Sequence, residues 1–455
     1  MSNRSAAPEL WHLAGGLTLD GPQDLLIEGS NIAAVGHNLV VPAGAQRLDL
    51  TGKLLWPGLV NTHHHLAQTL LKGVPAALSA PLADWLPAVP YTAWPLIDAD
   101  ALYAAARLGL YELLRAGCTT CADHHYLYAA TTSEEIEAAL WQAADDLGMR
   151  LVLCRGGAVQ SKSHPGMRRS MLQPESQTQW LERLEATVRK HHDPAPDARE
   201  RVVVAPTSLV HGAPPALMRE LGDFARRHKL RRHSHLLEVA ADNEAAMALH
   251  GFDALDYADE IGWLEDDVWY AHLVHLKPED LPRLARRGVG LAHCPTSNCR
   301  LGSGIAPAPA LDAAGANVSL GVDGAASAEP ATPLSEMSLA WLLHRAIGGS
   351  AATDAHQIAH WATAGGARVL GLNTGRLAAG CAADLAIYDL EQPRLAGLWA
   401  PELAPVLCGE PLSACDVMVH GRWVLRDGEL PGTDPHVLHQ DAARARKRLQ
   451  QRWVD

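Results

Sequence analysis

The chain has 455 residues, 48% of them hydrophobic and 20% charged, enough for a large globular unit plus a smaller one with a sizeable core. Its formal charge of −13, from 38 basic and 51 acidic side chains, argues against a nucleic-acid backbone or an anionic membrane as a general partner. There is no run of eighteen apolar residues to predict a membrane span. The opening stretch MSNRSAAPELWHLAGG lacks the pattern of a secretory signal, so a cytoplasmic setting is expected.

In chain order, residues 1–56 read as short strands and turns (HLAGGLTL, QDLLIEGSNIAAVG, AQRLDLTGKLLW). Similar alternation returns near 381–390 (CAADLAIYDL) and 415–430 (CDVMVHGRWVLRDGEL). Two β-rich ends can share one small sheet domain only if the 300 residues between them bring the chain back to its start. A closed barrel does that. The middle alternates strand-like runs, ending near His63, Asp123, Arg155, Pro206, His235, His272, His293 and Asp323, with amphipathic stretches such as 101–117, 133–149 and 215–229. Eight such units predict a (β/α)8 TIM-like barrel over 57–374, whose site lies at the C-terminal ends of its strands. Residues 1–56 and 375–435 are assigned to a small β-sandwich domain, and 436–455 to a C-terminal surface helix or tail. Alternation alone also allows an open doubly wound sheet. Polar residues falling at the same end of strand after strand favour the barrel.

Histidine, present 24 times, gathers at those strand ends. In Asn61-Thr62-His63-His64-His65, alternation turns His63 and His65 to one side and His64 to the other. In His233-Ser234-His235-Leu236-Leu237-Glu238, His235 supplies a third imidazole, and Glu238 lies one short turn on, where a general acid/base would reach a metal-bound water. His233 alone reads as a packing histidine. The run WYAH puts His272 at the end of strand six, and GVDG puts Asp323 at the end of strand eight. A carboxylate there is costly to bury without a charge or metal beside it. Four matched positions, on strands one, five, six and eight, are hard to attribute to structural caps.

This set resembles the amidohydrolase superfamily, and within it the one-metal aminohydrolases, whose strand five carries His-x-x-Glu. The resemblance covers nearly the whole chain, including the GxxADL-like run Gly380-Cys381-Ala382-Ala383-Asp384-Leu385. Two-metal members carry a lysine on strand four; the run RVVVAPTS (201–208) has none. The resemblance implies one zinc ion, with Fe²⁺ or Mn²⁺ as alternatives, held by His63, His65, His235 and Asp323. It further implies that Asp323 takes a proton from water, Glu238 delivers one to a ring nitrogen, and His272 hydrogen-bonds the oxygen of the product carbonyl.

The segments 57–70, 116–128, 267–276 and 292–307 are similar to deaminases of the 8-oxoguanine kind and to hydroxyatrazine and triazine hydrolases. They imply an amino-substituted heterocycle as substrate (8-oxoguanine- or isocytosine-like), ammonia as product, and Gln68, His124, Tyr126 and Asn298 as substrate contacts. A triazine hydrolase releasing alkylamine or halide is the alternative; a barrel that only binds a ligand is the distant one. A homo-oligomer is the family expectation. The chain departs from its relatives in AASAEP after GVDG and in QSKSHPGMRRSMLQPE (160–175), both at the rim of the site. Trp85, Trp94 and Trp269 are candidates to stack on a flat ring. The eight scattered cysteines read as reduced thiols, with Cys118-Thr119-Thr120-Cys121 as core packing.

Overall fold

The computed structural model describes residues 9–160 and 173–454. Five strands come first: β1 (Leu10–Thr18), β2 (Gly21–Glu28), β3 (Asn31–Gly36), β4 (Gln46–Asp49) and β5 (Lys53–Pro57). Eight parallel strands follow: β6 (Leu59–His64), β7 (Cys118–His125), β8 (Arg150–Arg155), β9 (Glu200–Val204), β10 (Arg232–Leu236), β11 (Val268–His272), β12 (Gly290–His293) and β13 (Asn317–Leu320). The last three are β14 (Leu385–Asp389), β15 (Ala414–Val419) and β16 (Arg422–Leu425).

Strands β6 to β13 pair in sequence order, and a parallel bridge between His64 and Asp323 joins the last strand to the first. The closure is polar. Thr62 Oγ1 donates to the Leu320 carbonyl (2.9 Å), Val322 N–H donates to Asn61 Oδ1 (3.1 Å), and Asp323 N–H donates to the His63 carbonyl (3.0 Å). β7 and β8 are buried along their whole length, as strands covered on both faces must be. Val60, Ala122, Val152, Val203, Trp269 and Ala292 fill the interior, so the barrel is a packed core with its opening at one end.

The helices around it start and stop where local chemistry dictates. Asp98 caps Ala99–Arg115 by accepting from Ala101 N–H (2.9 Å), and Ser133 caps Glu134–Leu147, which ends on the left-handed Gly148. The C-terminal helix Pro435–Val454 is not wholly a surface element. Leu438, Ala442, Ala445 and Leu449 form a buried stripe, and part of it shares an apolar cluster with Ala101, Ala104 and Ala105. Among the described residues no helix is long and apolar enough to cross a membrane. All eight cysteines are free.

The two chain ends meet as expected. β14 lies antiparallel to β5, with Ile387 opposite Leu55, in one eight-stranded sheet ordered β16-β15-β14-β5-β1-β2-β3 that branches where β4 also pairs with β1. Asp384 ties this sheet to the closed end of the barrel. Its carboxylate is fully buried and pairs with Arg150, at the start of β8, while accepting from Thr374 Oγ1 (2.6 Å) and from His420 N–H (2.6 Å). Arg150 Nε donates in turn to the Ala198 carbonyl (2.8 Å). Such a pair is strong mainly against loss of one partner, which strands the other charge in the core. Asp384→Ala is therefore expected to cost about 3–5 kcal/mol of stability, read by urea unfolding, whereas Arg150→Met with Asp384→Leu should recover a large part of it. Unfolding of Asp384→Ala at the wild-type urea concentration would contradict this.

Candidate active site and metal centre

The open end of the barrel collects the polar strand ends. His63 and His65, two apart on and just beyond β6, project to one side, and His64 turns away, accepting from His65 N–H through Nδ1 (2.7 Å). His63 Nε2 lies 3.3 Å and His65 Nε2 3.2 Å from Asp323 Oδ1, and His65 Nε2 lies 3.3 Å from His235 Nε2. One ligand atom from each of His63, His65, His235 and Asp323 falls within 4.8 Å of the others.

The protons on these rings follow from their partners. His65 Nδ1–H donates to the His124 carbonyl (2.7 Å), and His235 Nδ1–H donates to the Thr207 carbonyl (2.6 Å). Each neutral ring then presents a bare lone pair at Nε2. Burial pushes the His63 pKa down to about 4 and that of His235 well below its ordinary value, which favours the neutral ligand form. Burial opposes protonation of His65 too, but Asp323 draws its pKa up overall. Two lone pairs and a carboxylate facing one another in a buried space favour a cation between them. The spacing fits one: ligand atoms ~2.0–2.1 Å from a tetrahedral ion stand about 3.3 Å apart. These residues could therefore hold a single divalent metal.

His63, His124 and His233 also approach within 4.8 Å. That group differs in kind, because His63 Nδ1 and His233 Nε2 are 2.8 Å apart, a hydrogen-bond length too short for two ligands of one ion.

Three strand ends turn through the left-handed region: Leu237 (φ 55°), His272 (φ 76°) and Asp323 (φ 58°). Non-glycine residues adopt this conformation only when their surroundings hold them there. After Leu237, Asp242 Oδ2 accepts the Glu238 N–H (2.9 Å) and turns that carboxyl into the cavity. Glu238 Oε2 lies 3.5 Å from His272 Nε2, and His272 Nδ1–H donates to Asn298 Oδ1 (2.8 Å). Burial above all, helped by Asp323 and Asp242 and opposed by His272, raises the Glu238 pKa to about 7. That range suits a group that both gives and takes a proton.

A cavity opens to solvent beside these groups. Trp85, Tyr91 and Tyr126 line it, with His65, His235, Glu238, His272 and Asp323 at its floor. Gln68 is there as expected: its Nε2–H donates to the Tyr126 hydroxyl (3.1 Å), while its buried Oε1 has no protein partner. His124 and Asn298 are not among the lining residues. His124 Nε2–H donates to the Ala205 carbonyl (2.9 Å), and the Asn298 side chain holds His272. Of the candidate tryptophans, Trp85 reaches the cavity. Trp94 packs edge-on against Tyr126 (5.5 Å), and Trp269 stacks on His233 (4.5 Å). Tyr91, Ser208, His211 and Asp242 also line the space and were not singled out from the sequence. Asp242 alone carried a local signal, four residues after Glu238. Of the two departures, most of 160–175 lies outside the described residues. The AASAEP run is buried from Ala325 to Ala328.

The matching family model, described as the amidohydrolase family, spans residues 54–424, so the chain belongs to the amidohydrolase family. It is 41% identical over 445 residues to an isoxanthopterin deaminase from an unknown prokaryotic organism, covering 94% of this chain and 92% of that one. It is 36% identical over 434 residues to the 8-oxoguanine deaminase of Pseudomonas aeruginosa, covering 94% and 95%. Among solved structures, the atrazine chlorohydrolase of Arthrobacter aurescens complexed with zinc superposes with a TM-score of 0.90 at 28% identity, covering 96% of this chain and 99% of that one. Family, zinc-bound neighbour and donor set together support a metal-dependent hydrolase.

Gly324 exposes how closely Gln68 is fitted. A Cβ at that position would sit 1.9 Å from Gln68 Oε1, the far end of a flexible side chain that can swing away. Gly324→Ala should leave folding and metal content near wild type but displace the amide. Steady-state kinetics should then show kcat/KM down by ten-fold or more, on the order of 1.4 kcal/mol of lost transition-state stabilisation. Unchanged kinetics would show that Gln68 has no part in binding substrate.

Proposed function

We propose that this chain is a zinc-dependent deaminase of an aminated nitrogen heterocycle, with a fused bicyclic lactam of the purine or pterin kind as substrate. The observation that carries this is Glu238: a buried carboxyl with a pKa near neutrality, beside His272 and facing the cavity that His65, His235 and Asp323 line. A site that only bound a ligand would have no need of such a group. The relatives named for isoxanthopterin and 8-oxoguanine deamination support the substrate class. Two tyrosines and a tryptophan on the cavity wall suit a flat ring.

His63, His65, His235 and Asp323 would hold the ion, which when bound supplies Lewis acidity and lowers the pKa of water toward neutrality. Asp323 accepts the proton that water gives up as it attacks the ring carbon bearing the amine. Glu238 delivers a proton to the adjacent ring nitrogen, so that negative charge does not build up there. His272 hydrogen-bonds the oxygen destined to be the product carbonyl, while Asn298 fixes the orientation of the imidazole from behind. Gln68 Oε1, buried and without a protein partner, is placed to accept an N–H of the heterocycle. The amine takes up the proton held by Asp323 and leaves as ammonia, while the proton of the added hydroxyl returns to Glu238 as the product carbonyl forms.

An ammonia-release assay across aminated pterins, purines, pyrimidines and triazines tests the proposal, with chelation and zinc re-addition as the control for metal dependence. Glu238→Gln should lower kcat by about 10²–10⁴-fold while retaining the metal. Deamination by that variant at the wild-type rate would remove Glu238 from the chemistry. Release of halide or alkylamine from triazines, with no ammonia from any bicyclic compound, would instead favour the triazine-hydrolase reading supported by the likeness to the atrazine enzyme.

A further inference from the structure

We propose that His233 is a positioning residue for the metal centre, holding the proton of His63 on Nδ1 and thereby setting how tightly the ion is bound. The proposal rests on the reading of His63, His65, His235 and Asp323 as metal ligands.

Strands β10 and β11 run in parallel register with His233 opposite Trp269. His233 Nδ1 lies 2.9 Å from the Trp269 carbonyl oxygen, which can only accept, so Nδ1 carries the proton. A neutral imidazole has one N–H, which leaves His233 Nε2 as an acceptor. His63 Nδ1, 2.8 Å away, must then be the donor. The chain of protons fixes His63 Nε2 as a bare lone pair aimed at the ligand cluster, 3.3 Å from Asp323 Oδ1. His63 Nε2 has no hydrogen-bond partner, and both His63 and His233 are fully buried.

The other two imidazoles reach backbone carbonyls directly, at His124 and Thr207. Only His63 reaches its carbonyl through a second ring. When a cation draws density from His63 Nε2, its Nδ1–H becomes more acidic, and an imidazole nitrogen is a more basic acceptor than an amide oxygen. The relay therefore strengthens as the ion binds. Packing also constrains His233: its ring stacks on Trp269 at 4.5 Å and 17°. Packing alone, however, would not require both of its nitrogens to be hydrogen-bonded in this order.

The experiment measures zinc affinity, by competition with a chromophoric chelator on apo-protein reloaded with zinc alone, in wild type, His233→Phe and His233→Gln. Phenylalanine keeps a flat ring on Trp269 but offers no acceptor; glutamine restores an acceptor near the Nε2 position. The Phe variant should bind zinc about 10–100-fold more weakly, the Gln variant should regain much of that loss, and excess zinc should restore ammonia release in both. Should the Phe variant not fold, His233→Leu takes its place against Gln. Equal zinc affinity in wild type and the acceptor-free variant, or equal losses with and without an acceptor, would overturn the proposal. Absence of zinc binding by the wild type would instead overturn the underlying metal assignment, an outcome distinct from either.

Discussion

Three imidazole nitrogens and one carboxylate face a common point, an arrangement that favours a cation between them. Everything around it serves to hold them there. The rings cannot turn away, because each Nδ1–H is committed to an acceptor behind it. The carboxylate cannot withdraw, because Asp323 N–H is bonded to the carbonyl of His63, one of the residues it faces. Barrel closure and ligand placement are thus the same set of contacts: the seam between β6 and β13 is where the chain's first and last strand of the barrel meet and where three of the four ligand candidates reside. Loosening that seam would cost both stability and metal affinity.

The same end of the barrel stores conformational strain. Left-handed φ at Leu237, His272 and Asp323 costs roughly 1–3 kcal/mol per residue. Each is held by a specific polar contact: Asp242 beneath the Glu238 turn, Asn298 behind His272, and the His63 carbonyl against Asp323. An extended continuation of those strands would send the side chains to alternating faces. The turns bring Glu238, His272 and Asp323 to one cavity instead. Strain is concentrated where the chemistry requires convergence, and Arg150 with Asp384 anchors the opposite end.

Much of this was legible in the sequence because strands impose a period of two and barrel strands end together. The spacing of His63 and His65 fixed their shared face, and an Asp ending an apolar run at 323 called for a cation. The closed barrel, the shared terminal sheet and three long helices follow the patterning closely. Contacts that depend on side chains from distant strands were not legible. His124, in β7, and Asn298, in the helix Pro295–Arg300, carry polar groups of the right type, yet one bonds a carbonyl at the exit of β9 and the other bonds His272. His233 was read as packing because nothing local reveals that its two nitrogens link β11 to β6. Tyr91 and His211 come from segments with no periodic signal. The C-terminal helix looked like surface from its arginines, although its alanines and leucines recur at the spacing of a buried stripe.

Charge at the site explains why this machinery suits a neutral heterocycle. Asp323 beside the imidazoles is held ionised, its pKa well below the usual carboxylate range. Burial raises it but is outweighed by His63 and His65. Glu238 and Asp242 are shifted the other way, toward their neutral forms, with burial as the leading cause. A divalent ion held beside one ionised carboxylate would leave the floor of the cavity net positive, within a protein that is negative overall. A neutral ring enters such a space without a desolvation penalty for its own charge. Negative charge would develop on the ring only as water adds to it, and the pull of a positive floor would be greatest then. The attraction therefore grows along the reaction coordinate instead of being spent on binding. A carboxyl near neutral pKa completes the arrangement, since it can hand over its proton at the moment the ring nitrogen becomes basic enough to take it.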